Sequence, residues 1–201
     1  MTWIPHPSNP LQRISVWPEE EPCTLESLPK GVLAVAYGHR RYSFPWQEAS
    51  QATLRLLDTI AQEGPDDLSG DDLEHIEWAL DLPDGSADRF RDGSLDASRL
   101  YMYDHGSLAF SLGPFACPWD SGILGHIVHE ADADLEAVAD WLEYCGRSCN
   151  GEEAVLHIEE YDYGTGSWID VDCVRVFLGD GYPSAGLEAE DLARAMEGYH
   201  A

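Results

Sequence analysis

Four carboxylates recur along one stretch of the chain at spacings of four, four and three: Asp132, Glu136, Asp140 and Glu143. If that stretch is helical, each step of four advances about 6 Å along the axis. Carboxylates stacked in this way can meet several Arg or Lys residues of a partner, as a row of nucleic-acid phosphates would. Like charges at such spacing cost an isolated helix a few tenths of a kcal/mol per pair, so helix stability does not explain them. Further acids follow at Glu152, Glu153, Glu159, Glu160, Asp162, Asp170 and Asp172, and the last five flank a predicted hairpin turn that would extend the surface. The competing reading is an acidic surface that serves solubility alone.

A second chemistry is nucleophilic. Cys117 opens a segment through Gly125 in which Asp120 and Ser121 follow Trp119. A thiol beside His105, His126 or His129, with Asp120 orienting the imidazole, would be a cysteine nucleophile and the centre of a small hydrolase. No known active-site signature surrounds Cys117, and Pro118 follows it. The stronger reading is a rigid, buried structural loop. There Trp119 anchors in the core, and Asp120 and Ser121 cap a tight turn. Gly122 and Gly125 permit turns or close backbone approach.

Other constellations are weaker. Cys145 and Cys149 are closely spaced but lack a second pair at zinc-site spacing. Cys145 and Cys173 read as ordinary buried positions. Asp104 beside His105 is an acid–base pair on paper, or a turn cap beside an exposed imidazole. Asp170 and Asp172 share a strand face, without an oxygen-rich loop to complete a cation site. There is no phosphate-binding glycine loop or nucleotide fingerprint, and no metal or cofactor is expected.

These residues need elements to hold them. Val32 to Tyr37 reads as a buried strand between glycines. Residues 46–63 read as a helix on Trp46, Ala49, Thr53, Leu56, Leu57 and Ile60, ended by Gly64 and Pro65. A second helix over 71–80 uses Leu73, Ile76, Trp78, Ala79 and Leu80. Residues 81–98, rich in Asp and Gly, read as a surface loop. Two strands, 100–103 and 108–112, form a hairpin, and 127–129 form a short strand. The clearest helix spans 131–145, with Leu135, Val138, Leu142 and Cys145 inward and Gly146 as its stop. Strands over 153–163 and 168–178 turn at Gly164, Thr165 and Gly166, and a short helix over 187–196 follows. The order predicts an α+β fold, an antiparallel or mixed sheet covered by three to four helices. It reads as one compact domain over 1–201. Residues 1–30, broken by six prolines, form an irregular arm packed on it.

Charge limits the partners. The 201 residues carry 38 acids and 11 bases, a formal net charge of −27. Direct nucleic-acid binding and binding to anionic membrane both need a basic footprint that is missing. There is no apolar run of membrane-spanning length and no secretory leader pattern, so the expected setting is cytoplasmic. Residues 1–99 hold 18 acids and 8 bases, whereas 100–201 hold 20 and 3, so the second half is the better electrostatic surface.

The segment from Leu100 to Gly106 (Leu-Tyr-Met-Tyr-Asp-His-Gly) and that from Pro114 to Gly125 (Pro-Phe-Ala-Cys-Pro-Trp-Asp-Ser-Gly-Ile-Leu-Gly) carry a resemblance. They resemble a family of small phage- and plasmid-borne proteins with a tyrosine-rich Tyr-x-Tyr-Asp-His strand followed by a Pro-Phe-x-Cys-x-Trp-Asp-Ser-Gly loop. The match covers about 26 residues, with Gly106 and Ser107 inverted and His126 where an aromatic is common. It implies a mobile-element context and transfers no catalytic residue. Together with the acidity, it resembles anti-defence proteins that imitate DNA. The expectation is a non-enzymatic antirestriction or anti-CRISPR-like inhibitor. Its partner would be a basic nucleic-acid-binding protein of the host, bound through Asp132, Glu136, Asp140, Glu143, Glu159, Glu160, Asp162, Asp170 and Asp172. A homodimer would extend the acidic face, although no periodicity specifies one. The alternatives are the Cys117 hydrolase and an acidic structural or regulatory protein without mimicry.

Overall fold

A computed structural model describes residues 2–5, 12–18, 28–150 and 153–177, with side chains for part of the outer strands. In chain order the strands are β1 (Thr2–Pro5), β2 (Gln12–Pro18), β3 (Val32–Tyr37), β4 (Gln47–Glu48), β5 (Leu95–Asp104), β6 (Leu108–Ser111), β7 (Ser121–Glu130), β8 (Glu153–Asp162) and β9 (Ser167–Phe177). The helices are α1 (Gln51–Glu63), α2 (Gly70–Ala79), α3 (Ser86–Arg91) and α4 (Leu135–Cys149). The fold is α+β: antiparallel and mixed sheet with four α-helices among the described residues. The predicted helix over 187–196, Glu152, and the side chains of Glu153, Asp172 and Cys173 lie outside what is described.

The contacts divide the chain into two compact units, Met1–Pro22 with Arg147–Ala201, and Cys23–Gly146. The first unit holds an antiparallel sheet in the order β1-β2-β8-β9. Its first two strands correct the irregular-arm expectation. Pro5 and Pro18 stand at strand ends, where a missing N–H breaks no interior ladder. The β8–β9 turn forms as expected. Asp162 accepts from the Gly164 N–H at 2.7 Å and the Thr165 hydroxyl at 2.8 Å, and Gly166 takes φ 67°.

The second unit holds a five-stranded sheet in the order β4-β3-β7-β5-β6, in which only β3 and β4 pair in parallel. Alternation in β3 sends Ala34 and Ala36 into the same core as α1, α2 and α3, with Leu57, Ile60, Leu73, Ile76 and Phe90 fully or almost fully buried. The alternate residue Tyr37 joins an aromatic cluster. Phe44, Trp46 and Phe110 stack or meet edge-on with ring centroids 4.9–5.4 Å apart, and Trp141 of α4 lies 5.9 Å from Trp46.

Local capping sets the helix ends. The Ser50 side chain accepts from the Thr53 N–H, so α1 starts after the predicted position, and Trp46 lies just before β4 instead. Ser69 and Asp72 make a reciprocal capping box at α2. Trp78 is 80% exposed, against the expectation that it packs inward. Leu73, Ile76 and Leu80 already define the buried side, and Trp78 is two residues from Ile76 on the opposite one. The predicted loop over 81–98 contains α3, which Phe90 and Ala87 anchor in the core, and the start of β5. β7 is far longer than the expected three residues, and Leu124 to His129 are all buried.

Helix α4 also shifts. Asp134 accepts from the Glu136 and Ala137 N–H groups, so the helix begins at Leu135, which is exposed rather than inward. Gly146 does not stop it. A Cβ there would stand 3.2 Å from the Leu108 carbonyl oxygen, so this glycine lets helix and strand backbone approach. Cys145 is buried and disulfide-bonded, not a free core thiol.

Gly125 is the tightest point of the sheet. A Cβ there would lie 1.9 Å from the Ala36 carbonyl oxygen and 2.7 Å from Tyr37 Cα, whereas Gly122 has nothing within 4 Å. Gly125→Ala is expected to cost more than about 3 kcal/mol in denaturant unfolding, against less than about 0.5 kcal/mol for Gly122→Ala. Equal effects would contradict this packing.

Candidate functional site

The buried side of α4 is Val138, Trp141, Leu142 and Cys145. The opposite side carries Glu136, Asp140 and Glu143, all exposed, and Asp132 is exposed in the turn before the helix rather than on it. Among the described residues, no Lys, Arg or His nitrogen lies within 4.0 Å of these four carboxylates. They form an uncompensated acidic surface within the second unit.

The hairpin acids of the first unit are arranged differently. Glu159 is held by Arg13 through two hydrogen bonds of 2.8 and 3.2 Å, and that guanidinium also sits 4.5 Å over the Trp168 ring. Glu159 pairs in register with Asp170, whereas Glu160 pairs with Ile169 and so points to the other face. Gln12 donates to Glu160, His157 lies 3.4 Å from Asp170, and Asp162 is committed to the turn. These carboxylates are partly compensated and split between two faces.

The Cys117 loop corrects a different expectation. Trp119 is 91% exposed and anchors nothing in the core. The loop is held by its polar groups instead. The Cys117 thiol donates to Asp120 Oδ2 at 3.3 Å, the Ser121 hydroxyl donates to the Cys117 carbonyl, and the Asp104 N–H donates to the Asp120 carbonyl at 2.8 Å. His105 Nδ1 reaches the same Asp120 Oδ2 at 3.2 Å. The expected order, thiol to imidazole to carboxylate, does not form. The carboxylate stands between thiol and imidazole, and no imidazole accepts the thiol proton.

His126 and His129 are used elsewhere. His129 is 4% exposed and satisfied at both nitrogens: Nδ1–H donates to the Glu130 carbonyl at 2.8 Å, so bare Nε2 accepts from the Ser98 hydroxyl at 2.8 Å. His126, 2% exposed, lies 3.2 Å from Asp58 Oδ1 through Nε2. Asp58 also accepts from Arg99 Nε at 2.6 Å, Arg99 Nη2 at 3.1 Å and Gln62 at 2.7 Å. The Arg99 guanidinium, and secondarily His126, hold the Asp58 carboxyl below its ordinary range against the opposing effect of burial. Asp58 in turn pushes the Arg99 pKa up. Burial pulls the His126 pKa down, with Asp58 opposing. A carboxylate can only accept, so Nε2 carries the proton and Nδ1 is a bare acceptor. That Nδ1 is buried without a hydrogen-bond partner.

Sequence reasoning missed this network. Asp58 stands four residues after the buried Leu54, on the inner side of α1, and a carboxylate there demands a cation. That demand was readable, but its partner was not. One cavity borders the network, and a second adjoins it, sharing Ile123 and Leu124 in its wall. One, about 240 Å³, is lined by Arg55, Asp58 and His126; the other, about 350 Å³, by Arg41, Asp104, Trp119 and Asp120. Among the described residues, no group of three or more His, Cys, Asp or Glu is placed to hold a metal ion. Cys149, whose thiol burial pushes up to about 11, offers no ready thiolate.

The network sets a pH dependence. The folded His126 pKa lies below the ordinary 6.5, so below that pH the unfolded chain takes up a proton that the folded chain resists. Stability therefore falls as pH drops through that window. Asp58, with its folded pKa depressed, holds its contribution above about pH 4 and loses it lower still. Unfolding midpoints measured from pH 7 to 5 are expected to fall, and His126→Asn is expected to flatten the slope. An unchanged slope would contradict the assignment. Asp58→Ala should cost about 2 kcal/mol near neutral pH, because it strands Arg99 and His126.

No family model, curated protein or solved structure matches this chain.

Proposed function

We propose that the protein is a non-catalytic inhibitor that occupies the nucleic-acid surface of a basic host protein, in the manner of DNA-mimicking antirestriction or anti-CRISPR proteins. The observation that carries this reading is the uncompensated carboxylate row Glu136, Asp140 and Glu143 on α4, with Asp132 before it, on a chain of net charge −27. An acidic row of this kind steers a basic partner and competes with its phosphate ligand. The exposed Trp78, on a helix that also carries Asp71, Asp72 and Glu74, offers the aromatic anchor that charged interfaces commonly use. The acids of the β8–β9 hairpin contribute less, since Glu159 already has its cation.

The proposed setting is the host cytoplasm. The disulfide at Cys145 weighs against a reducing compartment. If the cytoplasmic setting is right, Cys145 is alkylated without prior reduction once protein taken from the native host is denatured to expose it. Protection until a reductant is added would contradict it.

The surface is tested on partners captured from host lysate and released by competing DNA. The triple reversal Glu136→Lys, Asp140→Lys and Glu143→Lys is expected to slow association about tenfold or more at low salt. A matched reversal at Glu48, Glu63 and Asp67 should change it by less than about threefold. Equal effects, in variants that melt as the parent does, would refute the α4 surface. Cys117→Ala should leave binding intact, because this reading gives the thiol no part in it.

A further inference from the structure

In a chain this acidic, every cation has carboxylates in excess. Arg13, Arg89, Arg91 and Arg99 each hold one. Among the described residues, Arg41 and Arg55 hold none within 4.0 Å, and each lines one of the two adjoining cavities. A guanidinium left open at a cavity in such a chain is set for an anion that the protein itself does not supply.

The groups around them narrow the anion. In the smaller cavity, the Asp58 charge is already balanced by Arg99, so Arg55 is the uncompensated charge. The wall beside it includes the ring of His126. The larger cavity carries the exposed indole of Trp119 and two carboxylates. Asp104 accepts from the Tyr42 hydroxyl through Oδ2, and Asp120 accepts from Cys117 and His105 through Oδ2. Each therefore keeps Oδ1 for a further donor. One end suits an anion, and the other end suits a flat ring with an amino group.

We propose that the two cavities together form a binding site for a mononucleotide with an amino-bearing base. The phosphate pairs with Arg55, and the base lies on Trp119 with its amino group donating to Asp104 or Asp120. The larger cavity, about 350 Å³, falls in the range of small-ligand sites, and the smaller, about 240 Å³, lies just below it. The site is assembled from β3–β4, α1, β5 and β7 segments far apart in sequence, and so leaves no fingerprint in any one of them. It is independent of the α4 surface and needs no partner protein.

The test is calorimetric titration of the full chain with AMP, CMP, IMP, UMP and inorganic phosphate, with the His126 ring followed by NMR. AMP or CMP is expected to bind saturably, with a Kd on the order of 0.1–1 mM, and to shift the His126 ring signals. Arg55→Ala and Trp119→Ala, both at exposed positions, should each weaken binding about tenfold while melting as the parent does. IMP and UMP, which lack the amino group, should bind about tenfold more weakly. Absence of saturable binding by AMP and CMP up to about ten times the expected Kd would overturn the proposal. So would inorganic phosphate binding as tightly as AMP, or affinity indifferent to Trp119→Ala.

Discussion

A carboxylate on the inner side of a helix must find a cation, and the second unit is organised around the one that Asp58 finds. Arg99 reaches it from β5 with two hydrogen bonds, and His126 reaches it from β7. One side chain thereby fixes α1 against two neighbouring strands. The same bond settles the chemistry of His126. Its imidazole is buried, directed at Asp58 and turned to the Nε2–H tautomer. It is not available to a cysteine in the loop before β7. Gly125 is the steric counterpart of this arrangement, since the backbones of β3 and β7 meet there at a distance no side chain tolerates.

The eleven basic residues are too few to answer 38 acids, so where they are placed is informative. Some are spent where structure requires them: Arg99 on Asp58, Arg89 on Glu130 and Arg13 on Glu159. Among the described residues, none is seen within ion-pair distance of the outward row of α4. Leaving those carboxylates unanswered adds self-repulsion to the folded state, which the apolar core under α1, α2 and α3 must outweigh. A surface kept acidic at that cost is consistent with use as a surface, and it is the basis of the inhibitor reading.

The sequence disclosed what is local. Gly64 and Pro65 marked the end of α1, the apolar residues of 71–80 marked α2 within a residue, the uncharged run between glycines marked β3, and the turn at Gly164 to Gly166 marked β8 and β9. The acids of α4 were legible as exposed because Val138, Leu142 and Cys145 left them no other side. Residues 81–98 misled because their Asp and Gly content suggests a loop, while Ala87 and Phe90 alone seat α3 in the core. Trp78, Trp119 and Leu135 misled for the opposite reason. Large apolar residues are expected inside, but the inner positions beside Trp78 and Leu135 were already taken, and the loop of Trp119 is held by its polar groups instead. The Asp58 network was out of reach, since its partners lie 41 and 68 residues away along the chain. Separations of that size become contacts only when the sheet order is known.

The central claim is that an acidic surface competes with nucleic acid for a basic partner. Its most direct measurement is the association rate with a captured partner as salt is raised, with and without duplex DNA. Competition by charge predicts a rate that falls steeply with salt, and a DNA-bound partner that the protein cannot bind. A rate indifferent to salt, or a stable ternary complex of protein, partner and DNA, would contradict the account.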